Sequence, residues 1–365
     1  MTDNTLHRTT KKDTLLPAIK LLLFLGLLFG SMYVAKSFLV PVCIAWMLAV
    51  LLIPLARKLE RKGVNRGLST FISVLTILIA IAGVITLLSL QLKGLAEDTD
   101  KIESSIKKTV TKTRENISTY LGISPQKQEA FIKKQSQSGG SKVSGALMGV
   151  ASGSFAVLGN FVLVMVYIFL FLYFRAHFKK FVLKAVKPGS EPTAEKIIDN
   201  SAVTVQKYLF GLAKMIGCLW IMYSIGFSIA GVKYAIFFAI LCGLLEIVPF
   251  VGNLLGTSIT LLMAFTQGDT GVVIGVAVTY ASVQFIQSYF LEPLIVGKGV
   301  NINPVFTILA IVLGELVWGI AGMVLFLPLL AIVNIVLDNI PPLEPYGFLI
   351  GNTKKEEKGN KKANA

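Results

Sequence analysis

The sequence predicts an all-α, polytopic integral membrane protein with about eight membrane segments, including one or two broken or re-entrant helical hairpins, and an extracytoplasmic helical insertion. Composition predicts it first: of 365 residues 54% are hydrophobic and only 15% charged, with a mean hydropathy of +0.72. Long apolar runs, each near the roughly 20 residues that one crossing needs, recur along the chain. The lysines and arginines behind a net charge of +15 sit between those runs, where they set orientation and meet the anionic heads of the lipid bilayer rather than nucleic acid.

Residues 1–92 read as N-terminal membrane helices. Residues 1–14 are polar, carry Arg8, Lys11 and Lys12, and are expected in the cytoplasm. Apolar runs at 15–35 and 38–55 are separated only by Lys36 and Ser37, which predicts a tight helical hairpin. No A-x-A-like cleavage site follows the first run, so it is expected to stay as an anchor rather than leave as a signal peptide. Residues 57–66, RKLERKGVNR, place five basic residues in a short loop and mark the cytoplasmic side. A third run, 68–92, carries the chain back outside.

Residues 93–142 form the extracytoplasmic insertion, with ten Lys or Arg and six Asp or Glu. Leu95, Ile102, Ile106, Val110, Ile117 and Leu121 recur at helical spacing, and that apolar stripe needs a partner: its own hairpin mate, the membrane or another subunit. SQSGGS at 136–141 reads as a linker. Residues 143–208 begin with Gly145, Gly149 and Gly153, a small-residue face that lets helix backbones pack closely. A second basic loop follows at 175–187, again with five Lys or Arg. Ile197, Ile198, Ala202, Val205 and Leu209 then read as an interfacial helix leading into a span at 209–230, from which Lys214 snorkels. Residues 209–342 are the core with broken helices, and 343–365 a basic tail.

The core is organised around residues 241–256, LCGLLEIVPFVGNLLG, inside an apolar run from 234 to 265. Each half of that run offers only about 16 residues where a crossing takes roughly 20. Pro249 removes a backbone donor and Gly252 frees the backbone after it, so the helix is expected to break at Pro249, Gly252 and Asn253. Broken helices at membrane depth are tolerated where they are buried or line a polar cavity, and transporters build solute and ion sites at such breaks. The alternative is a plain hairpin of two spanning helices with its turn in water.

A charge at the bilayer centre costs about 3 kcal/mol, so intramembrane carboxylates are candidates for function. Glu246 lies three residues before the break, and Glu315 occupies a corresponding break at 314–322 in the run 305–336. Gln284 and Gln287 lie on the span between them. Carboxylates on two sides and amides on a third would suit a neutral polyhydroxyl solute or a cation. Glu292 is a weaker candidate, since Glu292-Pro293 reads more readily as the end of a helix.

An enzyme is not expected. The chain has no Walker motif and no HExxH, and its two histidines, His7 and His177, stand outside the apolar runs, so Ser152 and Ser154 lack a base. Cys43, Cys218 and Cys242 show no C-x-x-C spacing, and no metal site or cofactor is expected.

The residues Tyr208-Leu209-x-Gly211, Gly231-Val232 followed by an alanine, Ile247-Val248-Pro249-Phe250-Val251-Gly252, Gln284 and Gln287, Glu292-Pro293-x-Ile295-x-Gly297, Asn303-Pro304, and the stretch from Gly314 to Pro328 resemble the autoinducer-2 exporter family over residues 208–342. The resemblance implies a multi-pass protein of the bacterial inner membrane that exports a small polar solute such as the quorum signal autoinducer-2. It equally implies a sodium/proton antiporter of the same fold, which would bring H+ or Na+ to the site. It further implies an elevator-like mechanism and a homo-oligomer, with a pentamer as the assembly the family points to. A structural membrane protein without transport is the remaining alternative. Charge supplies the topology independently: Lys354, Lys355, Lys358, Lys361 and Lys362 hold the tail in the cytoplasm. If every apolar run spanned, that tail would emerge outside. Making 234–265 re-entrant from outside and 305–336 re-entrant from inside places both termini in the cytoplasm, and is the inverted-repeat plan of many secondary transporters.

Overall fold

Helix follows from helix along the whole described chain, because a backbone in hydrocarbon must satisfy its own hydrogen bonds. The computed structural model describes residues 12–97, 154–248, 251–296 and 301–352. These form α1 (Lys12–Val34), α2 (Lys36–Arg61), α3 (Arg66–Glu97), α4 (Ser154–Tyr173), α5 (Arg175–Ala185), α6 (Glu191–Ile229), α7 (Ala235–Leu245), α8 (Val251–Thr266), α9 (Thr270–Ile286) continued by a π-helix (Gln287–Val296), α10 (Pro304–Trp318), α11 (Ile320–Asp338) and α12 (Glu344–Ile350). The only β-pairing among the described residues is an isolated bridge between Ile302 and Gly351, so the all-α expectation holds. Among the described residues, five stretches are long and apolar enough to cross a bilayer: α2, α3, α6, α9 with its π-helical extension, and α11. A sixth is α4 taken with α5, from which it is bent by 63°. Residues 98–142 of the insertion, the Gly145, Gly149 and Gly153 face, Pro249 and Gly297 lie outside the described residues.

α6 is the element on which the others are hung. Its buried positions Ala194, Ser201, Val205, Tyr208, Gly211, Met215, Leu219, Tyr223 and Phe227 fall at helical spacing along one continuous stripe. The segment expected to lead into the fifth span as an interfacial helix joins that span in one continuous helix, because the packing stripe does not break. Its carboxyl-terminal half packs Met215, Leu219, Tyr223 and Phe227 against Phe238 and Cys242 of α7, Met263 of α8 and Val276 of α9. Val205 in its other half packs with Met47 and Val50 of α2, Ala310 and Val317 of α10 and Leu325 of α11. A third cluster seats Ile168 and Leu172 of α4 on the alanine face of α2, Ala45, Ala49 and Ala56.

The expected tight hairpin between α1 and α2 is not formed. Ala35 alone links them, at φ −86° and ψ 12°, and its N–H still bonds the carbonyl of Ser31. Phe174, between α4 and α5, has nearly the same angles and the same hydrogen-bond pattern, and there the axis bends by 63°. One residue near the helical basin turns a helix; it does not reverse it, since helical hairpins need loops of about 2–5 residues. At this junction the indole N–H of Trp318 donates to the carbonyl of Met32 at 3.0 Å.

Three contacts fix which ends share a face. Arg175, just after α4, pairs with Glu60 in the last turn of α2, so the basic segments 57–66 and 175–187 lie together at one face. Lys179 of α5 meets Glu195 and Asp199 of α6 at 2.8 and 3.1 Å, holding the start of α6 at that face. At the other end of α6, the Gln267 amide bridges the carbonyl of Gly231 and the N–H of Lys233, each at 3.1 Å. The segments before α7 and after α8 therefore meet, and the α7–α8 hairpin enters and leaves by the same face. With 11 and 16 residues its helices reach about 17 and 24 Å at 1.5 Å per residue, short of the roughly 30 Å core. The α10–α11 hairpin points the other way: its tip at Trp318 meets Met32 beside the amino end of α2, while its base is tied to the carboxyl-terminal segment by Asn303 N–H donating to Ile350 O at 2.8 Å.

This topology is checked by labelling single cysteines placed in a background without Cys43, Cys218 and Cys242. A membrane-impermeant maleimide should reach Lys62→Cys and Lys184→Cys from one side only, and Thr270→Cys from the other; accessibility of all three from one side would refute the arrangement.

Candidate solute and ion site

α7 ends at Glu246 by tightening rather than by opening. The Ile247 and Val248 N–H groups reach back three residues to the carbonyls of Leu244 and Leu245, at 3.1 and 2.9 Å, and Gly252 N–H bonds Val248 O at 3.0 Å. The tip thus satisfies these backbone groups within itself, as an apolar surrounding demands. α8 then leaves pressed against α7. A Cβ on Gly252 would lie 1.6 Å from the Leu245 carbonyl oxygen, and one on Gly256 would lie 3.0 Å from the Cys242 Cα. Only glycine lets these backbones approach so closely, the small-xxx-small packing of membrane helices. The same device recurs in the other hairpin, where Cβ atoms on Gly314 and Gly322 would each strike the other's carbonyl oxygen, at 2.3 and 1.9 Å.

Glu246 at the tip is 8% exposed, and its Oε1 accepts a hydrogen bond from Gln287 Nε2 at 2.7 Å. Gln287 is 1% exposed and sits where α9 gives way to the π-helix. Its own Oε1 is buried without a hydrogen-bond partner among the described residues. Beside this pair, Asn253 in the first turn of α8 accepts from the Tyr223 hydroxyl at 3.0 Å and donates to Gln284 Oε1. Gln284 donates onward to Ser288 Oγ at 3.1 Å. Four elements, α6, α7, α8 and α9 with its π-helical extension, thus bring the Glu246 carboxylate, three amides and two hydroxyls into one interior cluster, with the Glu292 carboxylate beside Gln287. No cation pairs with Glu246 among the described residues, and no group of three metal-ligating side chains occurs among them.

Of the residues singled out in the sequence, Glu246, Asn253, Gln284 and Gln287 come together here. Gly252 stands at the hairpin's internal contact. Glu315 stands apart: it is exposed on α10, whose neighbours are α11, α1 and α2. Glu292 does not end a helix. Glu292 and Pro293 lie inside the π-helical run, whose wider turns carry the chain past a residue without an N–H. π-turns of this kind concentrate at functional sites. Sequence reasoning passed over Tyr223, Ser288 and Thr257, whose Oγ1 is also buried and unpartnered. Tyr223 carried a signal, a phenol inside the apolar part of α6 that needs a partner once buried; Thr257 and Ser288 carried none beyond their type.

Such a cluster contains hydrogen-bonding groups of both kinds around an acid, and no nucleophile paired with a base. A polytopic helical bundle with a buried carboxylate at the tip of a re-entrant hairpin defines a transporter-type membrane protein. The sequence profile of AI-2E family transporters matches residues 21–341, and the chain belongs to that family. It is similar to two Bacillus subtilis proteins: "Putative transport protein YueF", 29% identical over 82% of this chain and 83% of that protein, and "Putative transport protein YrrI", 23% identical over 83% and 87%. It is also similar to the Escherichia coli "Putative transport protein YhhT", 21% identical over 90% and 92%. The chain is a multi-pass membrane transporter.

Gly252→Ala should be poorly tolerated, because the contact it disturbs is with backbone; overpacking of this kind costs about 1–3 kcal/mol or more. A clear drop in the melting temperature of the detergent-purified protein is expected, against little change for Gly83→Ala on α3, where an added Cβ meets nothing within 4 Å. Tyr223→Phe should cost about 1–3 kcal/mol by leaving Asn253 Oδ1 buried without its donor. The double variant Tyr223→Phe with Asn253→Leu should recover part of that loss in the same melting experiment; no recovery would mean the hydrogen bond is not the cause.

Proposed function

We propose that this transporter moves a small polar solute, of the polyhydroxyl kind to which autoinducer-2 belongs, out of the cell, and that the cluster around Glu246 is its solute and coupling-ion site. The observation that carries this reading is the Glu246–Gln287 pair: a buried carboxylate without a countercharge among the described residues, joined to an amide whose own oxygen has no partner among them. A lone buried carboxylate is stable when it holds a proton or a cation, and releases that partner when its surroundings become wet. This gives proton or Na+ coupling a physical seat. Asn253, Gln284 and the Tyr223 hydroxyl are suited to exchange their mutual hydrogen bonds for those of a solute hydroxyl at little net cost. Movement of the α7–α8 hairpin against α6 and α9 would carry the cluster between the two faces, as the elevator-like mechanism of the family resemblance requires. The same carboxylate favours a second reading, a sodium/proton antiporter, in which the cation is the cargo.

Positive charge gathered at 57–66 and 175–187 supports placing that face in the cytoplasm of a bacterial inner membrane. Assembly as a homo-oligomer follows the family resemblance, and among the described residues α1 and α3 keep exposed apolar side chains that lipid or a second copy would meet.

Glu246→Gln keeps size and hydrogen bonding but removes titration. In proteoliposomes it should reduce the pH- or cation-driven flux roughly tenfold or more while the protein melts at or above the wild-type temperature, since a buried charge is gone. Normal pH and Na+ dependence in that variant would make Glu246 a structural residue. Flux of a polyol under either gradient, set against Na+/H+ exchange without solute, separates the two readings.

A further inference from the structure

At the basic face a second polar cluster lies away from the Glu246 site. The last turn of α2, the first turns of α3 and the end of α4 meet around Glu60. Its Oε2 accepts from Arg175 Nη2 and its Oε1 from Ser69 Oγ at 3.1 Å, so both oxygens are engaged. Glu60 therefore offsets one guanidinium. The second belongs to Arg66, the first residue of α3, which lies over the ring of Tyr173 with its guanidinium carbon 5.7 Å from the ring centroid. That contact sets Arg66 on the last turn of α4, two residues before Arg175. Arg66 Nε and Nη2, Arg175 Nη1 and Thr70 Oγ1 are all shielded from solvent and have no hydrogen-bond partner among the described residues. A ring face attracts the cation but supplies no lone pair for these N–H groups.

The cluster thus holds two guanidiniums and one carboxylate, net positive, with several buried donors unspent. Asn65 caps α3 by accepting from Leu68 N–H at 2.8 Å, and the amino end of this 32-residue helix adds its own partial positive charge. Apolar side chains stand exposed immediately beside it, Leu68 and Phe71 on α3 and Phe174 after α4. This is the setting of a head group whose acyl chains lie against α3 and α4.

We propose that Arg66 and Arg175, with Thr70, form a binding site for a phosphate-bearing anion at the basic membrane face, occupied by the phosphodiester of an anionic phospholipid or by free phosphate. The planar guanidinium fork matches phosphate oxygens two at a time, which a lysine ammonium does not. Basic pockets between membrane helices on this side are a recognised type of lipid head-group site. The proposal is independent of the solute site, since it involves none of its residues.

The full-length protein is purified in detergent and its melting followed with dioctanoyl phosphatidylglycerol, dioctanoyl phosphatidylcholine or inorganic phosphate at matched ionic strength. Phosphatidylglycerol should raise the melting temperature of the wild type and of Lys184→Ala, a basic control on the same face, and phosphatidylcholine should not. In Arg66→Gln the shift should vanish, and in Arg66→Lys about fivefold more lipid should be needed, because charge survives but the fork does not. A shift with phosphatidylglycerol alone assigns the site to lipid; an equal shift with inorganic phosphate assigns it to the free anion. If Arg66→Gln fails to fold, native mass spectrometry of Arg66→Lys decides, with several-fold fewer co-purified phospholipid adducts expected than in the wild type. Absence of any shift in the wild type, equal shifts in wild type and Arg66→Gln, or undiminished adducts in Arg66→Lys overturn the proposal.

Discussion

A carboxylate carried into the apolar interior on helices too short to cross must be met there by polar groups from other helices. That constraint organises the carboxyl-terminal half of this protein. Glu246 arrives at the tip of α7 and is met by Gln287, 41 residues later in the chain. Asn253, on the other side of the tip, is met by Tyr223 from α6 and Gln284 from α9. Each partner sits on an element that must run beside the hairpin for the contact to exist. The hairpin, the long α6 and the α9 span therefore stand or fall as one packed unit.

Close packing without a hydrophobic driving force explains why glycine recurs where elements cross. In lipid, apolar side chains gain little by leaving hydrocarbon for protein, so association leans on van der Waals contact between backbones and on buried hydrogen bonds. Gly252 and Gly256 bring α8 onto α7, and Gly314 and Gly322 bring α10 onto α11. The two hairpins share this construction while pointing in opposite directions. They differ in what they present: the first holds a buried acid in a polar cluster, while Glu315 near the tip of the second faces outward.

The two faces of the molecule are chemically unequal. One gathers the Glu60–Arg175 pair, Arg66 and the lysines of α5, with donors of both arginines shielded from solvent. The ion pairs of Lys179 are exposed and add little stability, at most about 1 kcal/mol each, so their role is to hold α5 beside α6. Guanidiniums whose donors are shielded are a different matter, because a charged donor without an acceptor is costly wherever water is excluded.

Much was legible in the sequence because the bilayer acts locally. Transfer of apolar residues into hydrocarbon depends on composition over a window of one helix length, so the all-α membrane class and the crossing at α3 were readable from periodicity and charge alone. The break after Glu246 was readable too, since Pro249 and Gly252 act on their own backbone. Local signals misled where packing decides continuity. Lys36 and Ser37 looked like a hairpin loop yet lie in the first turn of α2. Pro293 looked like a helix stop yet sits within the π-helix. The class of the protein and the intramembrane acid were thus determined by the sequence itself. The partners of that acid, the separate standing of Glu315, and the arginine cluster around Glu60 were decided only by tertiary structure. Hydrogen bonds between residues 30 to 115 positions apart depend on how helices lie against one another, which no single helix encodes.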